Sequence, residues 1–188
     1  MIDLSKIDKS WTLFLDRDGV INHEKKLSYI LHRGEFVFYD GAREAMKIFN
    51  ELFGHIIIVT NQRGIGKKLM TDEDLHDVHN FMIEEVTLSG GRIDSIYYCS
   101  SMDNDSYERK PNPGMAYQAQ KDSPLMDFKK SIIVGNNLSD MAFGRNAGMV
   151  TIFVATTHPD IVLPHPLIDY RFDDLYKAAF YLQALIIS

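Results

Sequence analysis

The sequence predicts an α/β protein in three layers, a mainly parallel sheet sandwiched between helices. Two observations carry that expectation. Short runs of apolar and β-branched residues alternate along the chain with segments whose apolar positions fall at i, i+3, i+4 and i+7. Several of those runs stop abruptly on polar residues and glycines, where open α/β sheets hold their ligands. Alternation of this kind implies right-handed crossovers between parallel strands.

The first run, residues 11–15 (WTLFL), has the length of a buried strand and ends on Asp16-Arg17-Asp18-Gly19. Residues 23–40 mix charge and aromatics and read as an ordered loop, with a small hairpin over 35–39, folded over that strand end. Ala42, Ala45, Met46, Phe49, Leu52 and Phe53 form the stripe of an amphipathic helix that Gly54 stops. Residues 55–60 (HIIIVT) are the second strand, followed by Asn61-Gln62-Arg63-Gly64-Ile65-Gly66. Thr71 opens a second helix, with Asp74 three residues on as in a capping box, and Gly90-Gly91 end it. Strand three is expected over 93–98, a polar loop over 100–108, and a helix over 113–122 that starts on Pro113. Strand four, 131–134, ends in Gly135-Asn136-Asn137-Leu138-Ser139-Asp140, and a helix carries 141–147. Strand five is 151–155, the proline-rich 157–166 is irregular, 169–172 is a short edge strand, and a last helix closes the chain.

At 188 residues one domain over 1–188 is expected, with room for a sizeable core. A formal net charge of −6 argues against a nucleic-acid footprint or attraction to acidic membranes. One cysteine, Cys99, excludes an internal disulfide and fits a reducing cytoplasm. The stretch MIDLSKIDKS lacks the basic and apolar blocks of a signal peptide, and no apolar run reaches membrane-spanning length. With no interface signal, a monomer is expected.

Asp16, Asp18, Thr60, Lys110 and Asp140 all follow strands or sit in strand-following loops, so a parallel sheet would carry them to one edge. Three carboxylates and one lysine leave a net negative pocket that is costly to desolvate. A divalent cation resolves this, and oxygen-only donors favour Mg²⁺, a hard ion that commonly binds beside phosphate. Lys110, the Thr60 hydroxyl and glycine-rich backbone amides could then neutralise a phosphoryl group. One carboxylate could attack phosphorus while the other moves a proton.

The segments DRDGVIN at 16–22, TNQRGIG at 60–66, RKPNPGM at 109–115 and VGNNLSD at 134–140 resemble the four motifs of the haloacid-dehalogenase-like (HAD-like) phosphatases. More narrowly, the chain resembles their capless branch of heptose-bisphosphate and histidinol-phosphate phosphatases, in order and over nearly its whole length. The resemblance implies a Rossmann-like sheet without a cap domain, with loops 23–40 and 99–108 walling the site. It implies Asp16 as nucleophile, Asp18 as general acid and base, Thr60 as phosphate-binding hydroxyl and Lys110 as the lysine orienting both. Asn22, Asn61, Gln62, Arg63 and Arg109 become substrate-binding candidates, and Asp16, Asp18 (through its backbone carbonyl), Asn136 and Asp140 the Mg²⁺ candidates.

Two departures matter. Relatives carry Asp where this chain has Asn136, which still offers an oxygen but no charge; Asp140 could compensate, directly or through water. Relatives also carry a zinc loop, whereas here Cys99 is accompanied by Ser101, Ser106 and Glu108, so no structural zinc is expected. His76 and His79 stand i, i+3 on a helix and read as satisfied or exposed histidines rather than metal ligands. Arg63, Lys67 and Lys68 are either a site for a second phosphate or a solvated basic loop. Tyr97-Tyr98 read as strand packing. Four reactive positions favour a Mg²⁺-dependent phosphomonoesterase over a binding protein on the same fold, for which Asn136 is the main argument. Its substrate would be a small phosphorylated metabolite. The chain is too short for the fused dehydratase half of some histidinol-phosphatases, and Arg109 beside Lys110 suits a distal phosphate. Both point to heptose bisphosphate, with histidinol phosphate or another small phosphate ester as the alternative.

Overall fold

The computed structural model describes residues 3–187. Residues 1–2 and 188, at the ends of the expected domain and of the stretch read for a leader, lie outside the described residues. Strands β1 (Thr12–Leu15), β2 (His55–Asn61), β3 (Ser95–Cys99), β4 (Ser131–Gly135), β5 (Val150–Val154) and β6 (Tyr170–Phe172) form one sheet. Its order is β3-β2-β1-β4-β5-β6 and each neighbouring pair is parallel. This is the Rossmann-like arrangement, in which strand order reverses beside β1 and opens a crevice at the carboxyl ends.

Period-two alternation splits β1 between two cores. Leu13 and Leu15 pack with Ile56, Ile58, Ile132 and Val134 against α1 (Ala42–Leu52), α3 (Asp72–Leu88) and α6 (Leu175–Ile187). Phe14 faces the other way, with Ile57, Val59 and Ile133, against α4 (Gly114–Asp122) and α5 (Leu138–Ala147). The three layers are therefore written in the alternation of the strands. In the register, Leu15 lies opposite Ile58 on one side and Val134 on the other, so the residues just beyond these strands emerge at one level.

Several boundaries differ from expectation. The capping box on α3 forms, with Thr71 Oγ1 accepting from the Asp74 N–H and Asp74 Oδ2 from the Thr71 N–H. A short α2 (Arg63–Gly66) occupies part of what reads in sequence as polar loop. α5 begins three residues early because Asp140 Oδ2 accepts from the Asn137 N–H and closes the first turn. No hairpin forms over 35–39. That segment instead runs antiparallel to 21–23, the Tyr39 N–H bonding the Ile21 carbonyl and the His23 N–H that of Val37. Phe36 and Phe38 thereby pack edge-on against each other and Phe36 against Phe81 of α3, a long-range contact that outweighs the local turn. Among the described residues no helix is long and apolar enough to cross a membrane.

Candidate active site

The strand ends deliver their polar residues into one cleft of about 300 Å³, lined by Asp16, Asp18, Thr60, Asn61, Arg109, Lys110 and Asp140. Glu24, Lys25, Ser28, Tyr29 and Ile30 of the 23–40 loop form one wall, and Asn137 and Ser139 of the β4–α5 turn line it too. No residue of 99–108 lines the cleft, and neither does Arg63, which is instead tied to that loop, its Nη2 donating to the Met102 carbonyl and to Asn104 Oδ1.

Lys110 is the hub. Its buried Nζ donates to Asp16 Oδ1 at 2.9 Å, Asp140 Oδ1 at 2.7 Å and the Val59 carbonyl at 2.8 Å. Three acceptors satisfy the three N–H bonds of an ammonium group. Burial works against the charge, but Asp140 and Asp16 outweigh it and hold the Lys110 pKa above its ordinary value. Asp16 answers oppositely. Burial pushes its carboxyl up to about 7, Lys110 opposes the rise and the Asp140 charge adds to it. The backbone N–H of Arg17 also reaches Asp16 Oδ1, at 2.8 Å, so the contacts fall on one oxygen and leave Oδ2 outside the set. Asp140 has both oxygens engaged, by Lys110 and by the N–H of Asn137.

Asp18 is held from three sides. Arg17 Nη2 donates to both of its oxygens, at 3.1 and 2.9 Å, and Asn22 Nδ2 and Gln62 Nε2 each donate at 2.9 Å. Burial alone would raise its pKa; the Arg17 charge and these hydrogen bonds outweigh it and hold the carboxyl below its ordinary value. Gln62 Nε2 also donates to Thr60 Oγ1 at 2.9 Å, so the hydroxyl hydrogen of Thr60 stays available to an incoming acceptor. Asn22 and Gln62 thus stand behind Asp18 and Thr60, not on the cleft wall. Asn61 lines the wall and is itself tied to Lys110, its Nδ2 donating to the Lys110 carbonyl and its Oδ1 accepting from the Lys110 N–H, both at 3.2 Å. Arg109 is half-buried with Nη1 unpartnered, and burial together with Arg63 lowers its pKa. Lys67 Nζ sits 5.2 Å over the ring of Tyr29, and Lys68 adopts a positive φ of 57° outside the cleft.

Asn136 is fully buried beside the Gly19 turn. Its Nδ2 donates to Thr157 Oγ1 at 2.8 Å and lies 3.5 Å from Glu24 Oε2, while its Oδ1 is buried with no hydrogen-bond partner. An unpaired buried amide oxygen costs stability unless something electropositive meets it. Gly19 makes the approach possible: its φ is 82°, and a Cβ there would stand 2.0 Å from Asn136 Nδ2. The donor set is all oxygen, and among the described residues no three His, Cys, Asp or Glu side chains gather as a metal cluster. An all-oxygen donor set suits a hard, water-retaining cation. In the 99–112 loop, Ser106 Oγ donates to Glu108 Oε2 at 3.1 Å and stands 4.0 Å from the buried Cys99 Sγ, and Asn112 Nδ2 donates to the Ser106 carbonyl.

Sequence reasoning assigned Arg17 no role, and His79, read there as a satisfied or exposed histidine, is buried and hydrogen-bonded. The Arg17 side chain is fully buried, and its Nη1 lies 3.1 Å from His79 Nε2. Burial, then Arg17, push the His79 pKa down to about 3, so the ring stays neutral. An arginine between two aspartates at a strand end was a legible signal; its partner on α3, sixty-two residues away, was not.

Residues 107–178 match the HAD-hydrolase-like family. A D-glycero-D-manno-heptose-1,7-bisphosphate 7-phosphatase of Chlorobaculum tepidum is 34% identical, over 92% of this chain and 94% of that one. The D-glycero-alpha-D-manno-heptose-1,7-bisphosphate 7-phosphatase of Campylobacter jejuni is 38% identical over 78% of this chain and 83% of its own. Among solved structures, the D,D-heptose 1,7-bisphosphate phosphatase of B. bronchiseptica, complexed with magnesium and phosphate, superposes with a TM-score of 0.83. It is 25% identical, and the match covers 93% of this chain and 98% of that one. The chain belongs to the HAD-like phosphatases, in the family of the heptose-1,7-bisphosphate 7-phosphatases.

Proposed function

We propose that this protein is a Mg²⁺-dependent phosphomonoesterase that removes the 7-phosphate of D-glycero-D-manno-heptose 1,7-bisphosphate through an aspartyl-phosphate. The observation that carries the reading is the convergence of Asp16, Asp18, Thr60, Lys110 and Asp140 on one cleft, with Lys110 bridging two carboxylates.

Asp16 attacks phosphorus with a carboxylate oxygen. Lys110 fixes its rotamer through Oδ1, which aims Oδ2 at the phosphoryl group. The bond from phosphorus to the sugar oxygen breaks, and Asp18 gives the departing alkoxide a proton. The ionised Asp18 of the free protein obtains that proton with the substrate, since a phosphate monoester has its second pKa at about 6. Asp18 then takes a proton from water, whose oxygen attacks the aspartyl-phosphate; inorganic phosphate leaves and Asp16 is regenerated. Thr60 donates its free hydroxyl hydrogen to a phosphoryl oxygen. Mg²⁺ would be held by the Asp16 carboxylate, the Asp18 backbone carbonyl and Asn136 Oδ1, where it supplies positive charge against the phosphoryl oxygens. Asp140, its oxygens engaged by Lys110 and Asn137, adds charge from one step behind. The unpartnered Arg109 Nη1 supports a second anionic group on the substrate, which favours a bisphosphate over histidinol phosphate.

In this reading the chain is one capless hydrolase domain working as a cytoplasmic monomer. The test is phosphate release from heptose bisphosphate, histidinol phosphate and an aryl phosphate with excess Mg²⁺, beside an Asp16→Asn control. Release from heptose bisphosphate that Asp16→Asn abolishes without unfolding is the expected result. No release from any ester defeats the phosphatase reading, and a preference for histidinol phosphate defeats the substrate.

A further inference from the structure

We infer that His79 is a positioning residue for the general acid Asp18, acting through the buried guanidinium of Arg17. The inference rests on the reading of Asp18 given above and extends the site to a helix that does not line the cleft.

Arginine has donors only, so in its contact with Arg17 Nη1 the His79 Nε2 must be the acceptor, and the ring proton sits on Nδ1. One face of the guanidinium grips both oxygens of Asp18 while the other is anchored on the imidazole. Nothing exposed competes for it, because the Arg17 side chain has no solvent contact and its Nε has no partner. His79 is fixed in turn. Its ring lies edge-on to Tyr98 at 6.2 Å, and the Tyr98 hydroxyl donates to Asp72 Oδ1 at 2.7 Å, at the start of the same helix. Remove the imidazole, and a buried cation with two nitrogens, Nε and Nη1, left without an acceptor must turn to find one. Asp18 is its nearest anion and turns with it. Asn22 and Gln62 still hold the carboxylate, so the loss is partial.

Leaving-group chemistry separates this role from a merely structural one. An alkyl phosphate needs a proton on its departing alkoxide, whereas p-nitrophenyl phosphate releases a stable phenolate and needs little. The experiment compares kcat/KM for a sugar phosphate and for p-nitrophenyl phosphate in the wild type, Asp18→Asn, His79→Ala, His79→Phe and His79→Gln, with thermal midpoints read alongside. His79→Ala should lose about tenfold on the sugar phosphate and less than about threefold on the aryl ester, a fraction of the general-acid contribution. His79→Phe, which fills the ring's volume without an acceptor, should behave alike. His79→Gln offers a carbonyl oxygen to Nη1 and should return the sugar phosphate to within about threefold of wild type. Equal losses on both esters, or no rescue by glutamine, overturn the inference. If Asp18→Asn itself fails to separate the esters, the reading of Asp18 as acid falls and takes this one with it. If Asp18→Asn separates them and the His79 variants do not, only the role of His79 falls.

Discussion

Replacing Lys110 by methionine leaves Asp16 and Asp140 buried together without the cation that now joins them. The methionine keeps most of the apolar stem, so the perturbation is electrostatic. In the structure Nζ makes three short contacts, two of them to carboxylates that are 11% and 1% exposed. Breaking a buried pair of this kind costs roughly 3–5 kcal/mol, mostly as uncompensated charge. The loss should depend on pH with a definite sign. Asp16, already raised to about 7 by burial against the opposition of Lys110, rises further when Lys110 is gone. A carboxyl whose folded pKa lies above its unfolded value stabilises the fold at acid pH, and that stability is lost as pH rises through the folded pKa. The variant should therefore lag the wild type by several kcal/mol at pH 8, and the gap should close by about 1–2 kcal/mol at pH 5.5. Urea unfolding in the presence of a chelator, followed by the fluorescence of the single, buried Trp11, measures both values. A loss below about 1 kcal/mol, or one that grows on acidification, would refute the account of Lys110 as the neutralising hub.

Asn136→Asp should bind Mg²⁺ about tenfold more tightly in calorimetric titration, since a charged oxygen replaces a neutral one. Without metal the same variant should be less stable, because the new charge faces Glu24; an unchanged affinity would remove Asn136 from the cation site. Acid should weaken the fold through His79, whose pKa of about 3 lies below the unfolded value of about 6.5. The contribution is complete above the unfolded pKa and lost as pH falls toward the folded one, so the wild type should lose about 1 kcal/mol more than His79→Gln between pH 7 and 5.5. Parallel losses in chemical denaturation would count against a neutral buried ring. Arg109→Ala should raise KM for a bisphosphate about tenfold while leaving kcat within about threefold, as removal of uniform binding does. An equal effect on a monophosphate would show that Arg109 does not meet a distal anion.

How much of this was visible beforehand depends on the range over which each feature is decided. The β2 run of five β-branched residues and the Thr71–Asp74 box are local, set by neighbours a few positions apart, and both appear where the pattern puts them. The gathering of Asp16, Thr60, Lys110 and Asp140 was also legible, because parallel strands joined by right-handed crossovers end on one edge. The pairing of 36–39 with 21–23 was not, since Phe81 of α3 decides it from more than forty residues away. Nor was the orientation of Asn22 and Gln62. Their place after strands is a matter of sequence, but the direction of an amide depends on which acceptor the fold brings within reach, and that acceptor is Asp18.

Periodicity was enough for the layers and the strand ends, because each follows from short-range geometry repeated along the chain. The folded molecule alone settled which oxygen of Asp16 is tied, which buried oxygen of Asn136 is left without a partner, and that a histidine on α3 anchors the arginine behind Asp18. Those are properties of directions in space among residues far apart in the chain, and alternation of apolar and polar positions carries no record of them.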